Sequence, residues 1–194
     1  MSVGGVAVFP ADTVYGLACA PDSRLAVDRL YALKGRAPEK PAAVMYFDAE
    51  LALASLPELR PRTRRALERL LPGAVTVLLP NPRGRFPLAC GPSPETLGLR
   101  VPALGGASSA LAGVQWPVLQ SSANRAGGPD AARLEEVPEA VRLGADLVVD
   151  GGDLPGVPST VLDLRVFEEE GKWSIVRQGG MPLAAVERAL GSGD

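Results

Sequence analysis

The chain of 194 residues has no histidine and only two cysteines, Cys19 and Cys90. Two cysteines without histidine exclude a Cys/His zinc site, and they are too few for the disulfide framework of a secreted domain. No apolar run approaches the roughly 18 residues that would mark a membrane span. No basic segment followed by an apolar one opens the chain, so a signal peptide is not expected either. Charge of one sign is also missing: 20 Lys and Arg stand against 22 Asp and Glu, a net charge of −2. No global basic field therefore drives non-specific nucleic-acid binding. Neither a Walker loop nor a Gly-x-Gly-x-x-Gly turn follows a strand, which excludes P-loop and dinucleotide-binding Rossmann domains. There is no internal repeat and no linker. These absences lead to the expectation of one cytoplasmic domain, residues 1–194, with no membrane partner.

What is present is globular in character, with 46% hydrophobic and 22% charged residues. Glycine and proline make up roughly a fifth of the chain, short of low complexity and suited to tight turns and proline-bounded strands. Apolar runs and helical stripes alternate from end to end. Val6–Phe9 reads as a buried strand that Pro10 stops. Asp22 or Ser23 caps a helix through Lys34, and Pro61 opens another that reaches Leu71. Further strands are expected at 42–46, 74–79, 97–101, 118–121, 147–150, 160–164 and 173–176. Short helices are expected at 108–112 and 140–143, a final one at 183–190, and a long functional or mobile loop at 80–94. The pair 160–164 and 173–176, joined by a charged turn, reads as a hairpin. The fold class is α/β, three-layered, with a mixed sheet. Arg60, Arg62, Arg64, Arg65 and Arg69 form a local cluster that suits either a solvated helix face or an RNA-facing patch.

Five segments concentrate polar groups. Phe9-Pro-Ala-Asp-Thr-Val-Tyr-Gly-Leu17 places a carboxylate, a hydroxyl, a phenol and a glycine after a strand, which suits either a ligand site or an ordinary corner. Lys34-Gly-Arg-Ala-Pro-Glu-Lys-Pro41 sets three cations on a proline-stiffened loop, as a triphosphate requires, although Lys34 also suits a helix C-terminus. In Thr96–Pro102, Arg100 is a lone cation in an apolar strand and needs an anion, either a ligand or an internal Asp or Glu. Gln120–Gly128 offers hydroxyls, an amide and a glycine pair, either a phosphate nest or a plain turn. The fifth pairs Ser159–Leu164 with Arg177-Gln-Gly179.

In order and spacing these segments, with the Pro-Gly-x-Val-Thr run around Gly73–Leu78, resemble the YrdC family of threonylcarbamoyl-adenylate synthases over nearly the whole chain. The resemblance implies a twisted, open, mixed α/β sheet around a cavity, and condensation of L-threonine, bicarbonate and ATP to threonylcarbamoyl-AMP and pyrophosphate, usually with Mg²⁺ (the metal-binding residues being unknown). The product serves threonylcarbamoyl-transfer proteins that modify tRNA. By position, Thr13, Arg100 and Ser159 would hold threonine. Arg36, Lys40, Thr96, Ser122 and Arg177 would hold ATP, with Lys34 and Asn124 beside it, and Arg36 and Lys40 would neutralise charge during catalysis.

The chain departs from the family pattern at several positions. Met45 stands where many members have a histidine, Ala37 where a proline follows the loop arginine, Ala11 in place of a threonine, and Asp130 where a hydroxyl often faces the nucleotide. Pro38 could restore the stiffness lost at Ala37. For Asp130, either the 127–131 loop holds it away from the phosphates or a cation bridges them. The family's leading helix is expected to be nearly absent. Two alternatives stay open: a related carbamoyl-adenylate enzyme, and a non-catalytic relative that binds tRNA or double-stranded RNA.

Overall fold

The computed structural model describes residues 4–37 and 40–191, so Pro38 lies outside it. Val6–Pro10 (β1) turns into Tyr15–Cys19 (β2). Ser23 then caps Arg24–Lys34 (α1) by accepting from Ala26 N at 3.3 Å, and Gly35 ends that helix at φ 58°, a left-handed geometry glycine adopts freely. Next come Ala43–Met45 (β3), Ala49–Ala54 (α2), Pro61–Leu70 (α3) and Val75–Pro80 (β4). They are followed by Pro87–Cys90 (α4), Thr96–Arg100 (β5), a 3₁₀ segment at Gly106–Gly113 and Val118–Ser122 (β6). Glu139–Gly144 (α5), Leu147–Val148 (β7), Thr160–Asp163 (β8), Phe167–Glu170 (α6), Ser174–Arg177 (β9) and Leu183–Leu190 (α7) complete the order.

Among the described residues nine strands form one sheet in the order β7-β1-β2-β6-β3-β5-β4-β8-β9. The pairs β1/β7, β3/β5 and β4/β8 are parallel and the other five antiparallel, so the sheet is mixed, as expected. The two-residue period of a strand sorts its side chains. Val75, Val77, Leu79, Leu97, Leu99, Leu119 and Leu162 enter a core to which all seven helices contribute. Their neighbours Thr76, Leu78, Gly98, Arg100, Gln120, Ser122 and Val161 line an open cleft. A smaller apolar cluster of Phe9, Ala18, Met45, Phe47 and Val118 is covered in part by Leu104, Leu111 and Val114.

The structure differs from these expectations at five places. Pro10 does not stop the ladder but closes it opposite Tyr15. The Tyr15 N–H goes to Ala131 O at 2.9 Å, so this pair asks no donor of the proline. The strand after it, β2, was not read as one because its five residues are all buried and show no alternation. Residues 80–94 form a built loop around the buried Asn81. Its Nδ2 donates to Arg85 O (3.0 Å) and Pro94 O (2.9 Å), while its Oδ1 accepts from Arg85 N (2.9 Å). The charged turn before β9 carries α6, whose Glu168 Oε2 accepts from Thr63 N (2.7 Å) and Oγ1 (2.9 Å) and so caps α3 from a distance. The strand expected at 147–150 is only two residues long.

The arginine cluster binds the molecule's own elements. Arg60 pairs with Glu169 at 2.6 Å, Arg62 lies 5.8 Å over the Phe167 ring, Arg64 donates to Leu53 O and Arg69 to Ala189 O.

Candidate functional site

The cleft has a volume of about 470 Å³. Of the candidate residues, Arg36, Thr96, Arg100, Ser122, Ser159 and Arg177 line it, while Thr13, Lys34, Lys40 and Asn124 stand outside its lining. Residues 90 positions apart meet here because the central strands end their polar face at one place.

Arg100 is 3% exposed. Its Nη2 donates to Asp12 Oδ1 (2.5 Å) and to Thr13 Oγ1 (2.6 Å). The internal anion is therefore Asp12, whose Oδ2 also accepts from Ala103 N at 3.0 Å. Thr13 acts as a neighbour of Arg100 rather than a wall of the cleft. Ser159, 2% exposed, shares a 2.9 Å hydrogen bond with Thr76 Oγ1, and its carbonyl accepts from Arg177 Nη2 at 2.8 Å. Thr76 and Asp12 are site residues that the sequence reading left out. Both stood in quoted segments, and strand alternation around Thr76 was the available signal.

On the nucleotide side, Arg36 donates through Nη2 to Pro41 O (2.6 Å) and lies 5.9 Å over the Tyr31 ring. Lys40 is exposed, its carbonyl accepting from Tyr31 Oη at 2.7 Å. Lys34 is turned inward and only 1% exposed. Its three N–H groups go to Ser122 O, Asn124 O (2.9 Å) and Asn124 Oδ1 (2.8 Å). It fixes the turn after β6. Asn124 spends its Nδ2 on Gly128 O (2.7 Å) and Asp130 Oδ1 (3.2 Å), and Asp130 is among the cleft-lining residues. Met45 is fully buried in the smaller apolar cluster, and Ala11 lies beside it.

Three buried side-chain polar atoms have no partner among the described residues: Arg36 Nε, Thr96 Oγ1 and Arg100 Nε. All three belong to cleft-lining residues. A buried polar group left unpaired costs about 1–3 kcal/mol, a cost concentrated here in residues that line one cavity. The described residues contain no group of three His, Cys, Asp or Glu able to hold a metal, and Asp130 is the one carboxylate among the cleft-lining residues. This donor set suits Mg²⁺ carried in on phosphates, with few protein ligands. No helix is long and apolar enough to cross a membrane among the described residues.

Burial, reinforced by the Arg36 charge and opposed by Asp130, pushes Lys34 down from 10.5 to about 8. The folded protein thus sheds this proton before the unfolded chain does. Its contribution to stability rises with pH from about 8 to 10.5 and is lost as pH falls through about 8. The wild-type unfolding midpoint in urea, minus that of Lys34→Met, should climb across this window. A flat difference would mean that burial does not depress Lys34.

The fold and cleft define an α/β protein whose mixed sheet carries an open cleft lined by arginines and hydroxyls. The chain belongs to the Sua5/YciO/YrdC family, described as "Telomere recombination", whose model matches residues 1–179. It is 29% identical over 189 residues to a threonylcarbamoyl-AMP synthase of Pyrococcus abyssi, covering 97% of this chain and 54% of that protein. A threonylcarbamoyl-AMP synthase of Nitrosococcus oceani is 34% identical over 164 residues, covering 84% and 88%. The crystal structure of P. abyssi Sua5 complexed with L-threonine superposes with a TM-score of 0.82 at 30% identity, over 97% of this chain and 54% of that one. The chain thus spans about half the length of the P. abyssi relative.

Proposed function

We propose that the cleft binds ATP and L-threonine and, with bicarbonate, makes threonylcarbamoyl-AMP and pyrophosphate. The observation that carries this reading is the set of unpartnered Arg36 Nε, Thr96 Oγ1 and Arg100 Nε around one cavity. Family membership and the threonine-bound relative support it.

In this reading Arg100 takes the threonine carboxylate beside Ser159 and Thr76, with Thr13 orienting the guanidinium. Arg36, Lys40, Thr96, Ser122 and Arg177 take the nucleotide, and Lys34 and Asn124 hold the Ser122 turn in place. Bicarbonate takes up a proton and loses its hydroxyl as water to give CO₂, and the threonine amine adds to that carbon, forming an N–C bond and returning a proton, so carbamate and water are the net products. The carbamate oxygen then attacks the α-phosphorus, the α–β P–O bond breaks, and pyrophosphate leaves. Such a displacement rests on alignment and on cations meeting developing charge, so a site without histidine suffices. Arg36 and Lys40 provide those cations, and Mg²⁺ entering with ATP supplies further charge neutralisation. The product would pass, in the cytoplasm, to proteins that transfer the threonylcarbamoyl group to tRNA.

Pyrophosphate release should require threonine and bicarbonate together. Serine should react more weakly, because burying the extra methyl is worth only about 1 kcal/mol. Release at an equal rate with no amino acid present would identify a plain ATPase and end this reading.

A further inference from the structure

We infer that Asp12 is a positioning residue for substrate carboxylate recognition, acting through Arg100. The inference rests on the reading above for the identity of the carboxylate, and on geometry for the role itself.

Asp12 lies in the turn between β1 and β2, its side chain 6% exposed, and it is not among the residues that line the cleft. One oxygen receives Arg100 Nη2 and the other receives Ala103 N, so the carboxylate is fixed from both sides. Nη2 carries two hydrogens. Asp12 takes one and Thr13 Oγ1 the other, which commits that nitrogen fully. The guanidinium is planar, so fixing one nitrogen on two acceptors fixes the direction of every other N–H. Nε is buried without an acceptor, and Nη1 donates to no described residue, so these are the N–H groups left over. Asp12 and Thr13 therefore decide which donor Arg100 offers to a ligand.

The arrangement also sets charge. A buried arginine with a carboxylate already beside it is a neutral pair, so an incoming carboxylate is held by the direction of the remaining N–H groups rather than by an unbalanced charge. Removing Asp12 frees the guanidinium to turn, and the ligand then has to order it.

The test compares Asp12→Asn and Asp12→Ala with wild type in the full chain. Asp12→Asn keeps an acceptor for Nη2 but sets an amide donor against Ala103 N, so it serves if Asp12→Ala does not fold. Asp12→Asn should raise the threonine KM about tenfold while the ATP KM moves less than about threefold. Asp12→Ala should raise the threonine KM further. In ligand-free protein, the Arg100 Nε–H resonance, sharp in wild type, should broaden in Asp12→Asn. A merely structural role would lower the melting temperature and leave the threonine KM of the folded variant where it was. Either a wild-type threonine KM or an unbroadened Nε–H resonance overturns the positioning role. If wild type itself releases no pyrophosphate with threonine and bicarbonate, the functional reading fails, and the ligand-free resonance alone decides the role of Asp12.

Discussion

Arg100→Ala should lower folding stability by about 3–5 kcal/mol, because it leaves the Asp12 carboxylate buried without its cation. The two side chains are 4% and 6% exposed, so the pair is held largely away from water. Truncating both partners, in Arg100→Ala/Asp12→Ala, should restore part of this loss, since no isolated charge then remains inside. Threonine binding is a separate quantity and should weaken by about 2–3 kcal/mol in both variants, through loss of a charge-assisted hydrogen bond. Arg36→Ala should fail differently. It gives up a carbonyl contact and a ring contact worth about 1 kcal/mol together, yet it should weaken ATP by about 2–3 kcal/mol. Urea unfolding combined with calorimetric titration of each ligand separates these effects. An Arg100→Ala protein as stable as wild type would show that Asp12 does not carry a buried charge. Normal affinity for both ligands in both variants would overturn the assignment of these arginines.

The sequence carried its local chemistry openly and its long-range chemistry poorly. Ser23 and Gly35 around α1, and Pro61 at the start of α3, act within a single turn, and the structure has them where local rules put them. β4 is readable because β-branched and apolar residues run unbroken from Val75 to Leu79. In contrast, β2 has the small, buried sequence Tyr-Gly-Leu-Ala-Cys, and its strand conformation comes from pairing with β1 and β6 rather than from its own pattern. The helix α6 follows the same logic, since Glu168 is fixed by the backbone of α3, more than 100 residues away.

At the site, cationic and hydroxyl residues could be named from their segments, but not the direction in which each one faces. Lys34 shows the difference. Its position beside Arg36 suggests a phosphate contact, yet the adjoining turn after β6 offers three oxygens that absorb all its donors. Asp12 is the converse case, an acidic residue next to Thr13 whose partner becomes evident only when β5 brings Arg100 to it.

Gly179→Ala should lower stability by about 1–3 kcal/mol, the usual range for overpacking, and weaken ATP about tenfold. A methyl group there would clash with the Pro158 carbonyl oxygen and lie 2.5 Å from the Ser159 carbonyl carbon and 2.6 Å from its oxygen. These are backbone atoms, so no side chain can turn aside to make room. Gly179 N also donates to Thr160 Oγ1 at 3.0 Å, and Gly180 N to Pro158 O at 2.8 Å, so the two segments are tied at the point of closest approach. Relief of the clash must therefore move residues 158–160 away from the end of β9. That movement separates Arg177 Nη2 from Ser159 O and disturbs the Ser159–Thr76 hydrogen bond, placing the effect inside the cleft. Gly105→Ala is the control, because a methyl there meets nothing within 4 Å and should change stability by no more than about 0.5 kcal/mol. Thermal unfolding and ATP titration of the two variants side by side check the argument. If Gly179→Ala behaves like Gly105→Ala, the close approach of β9 to Ser159 does not shape the nucleotide site.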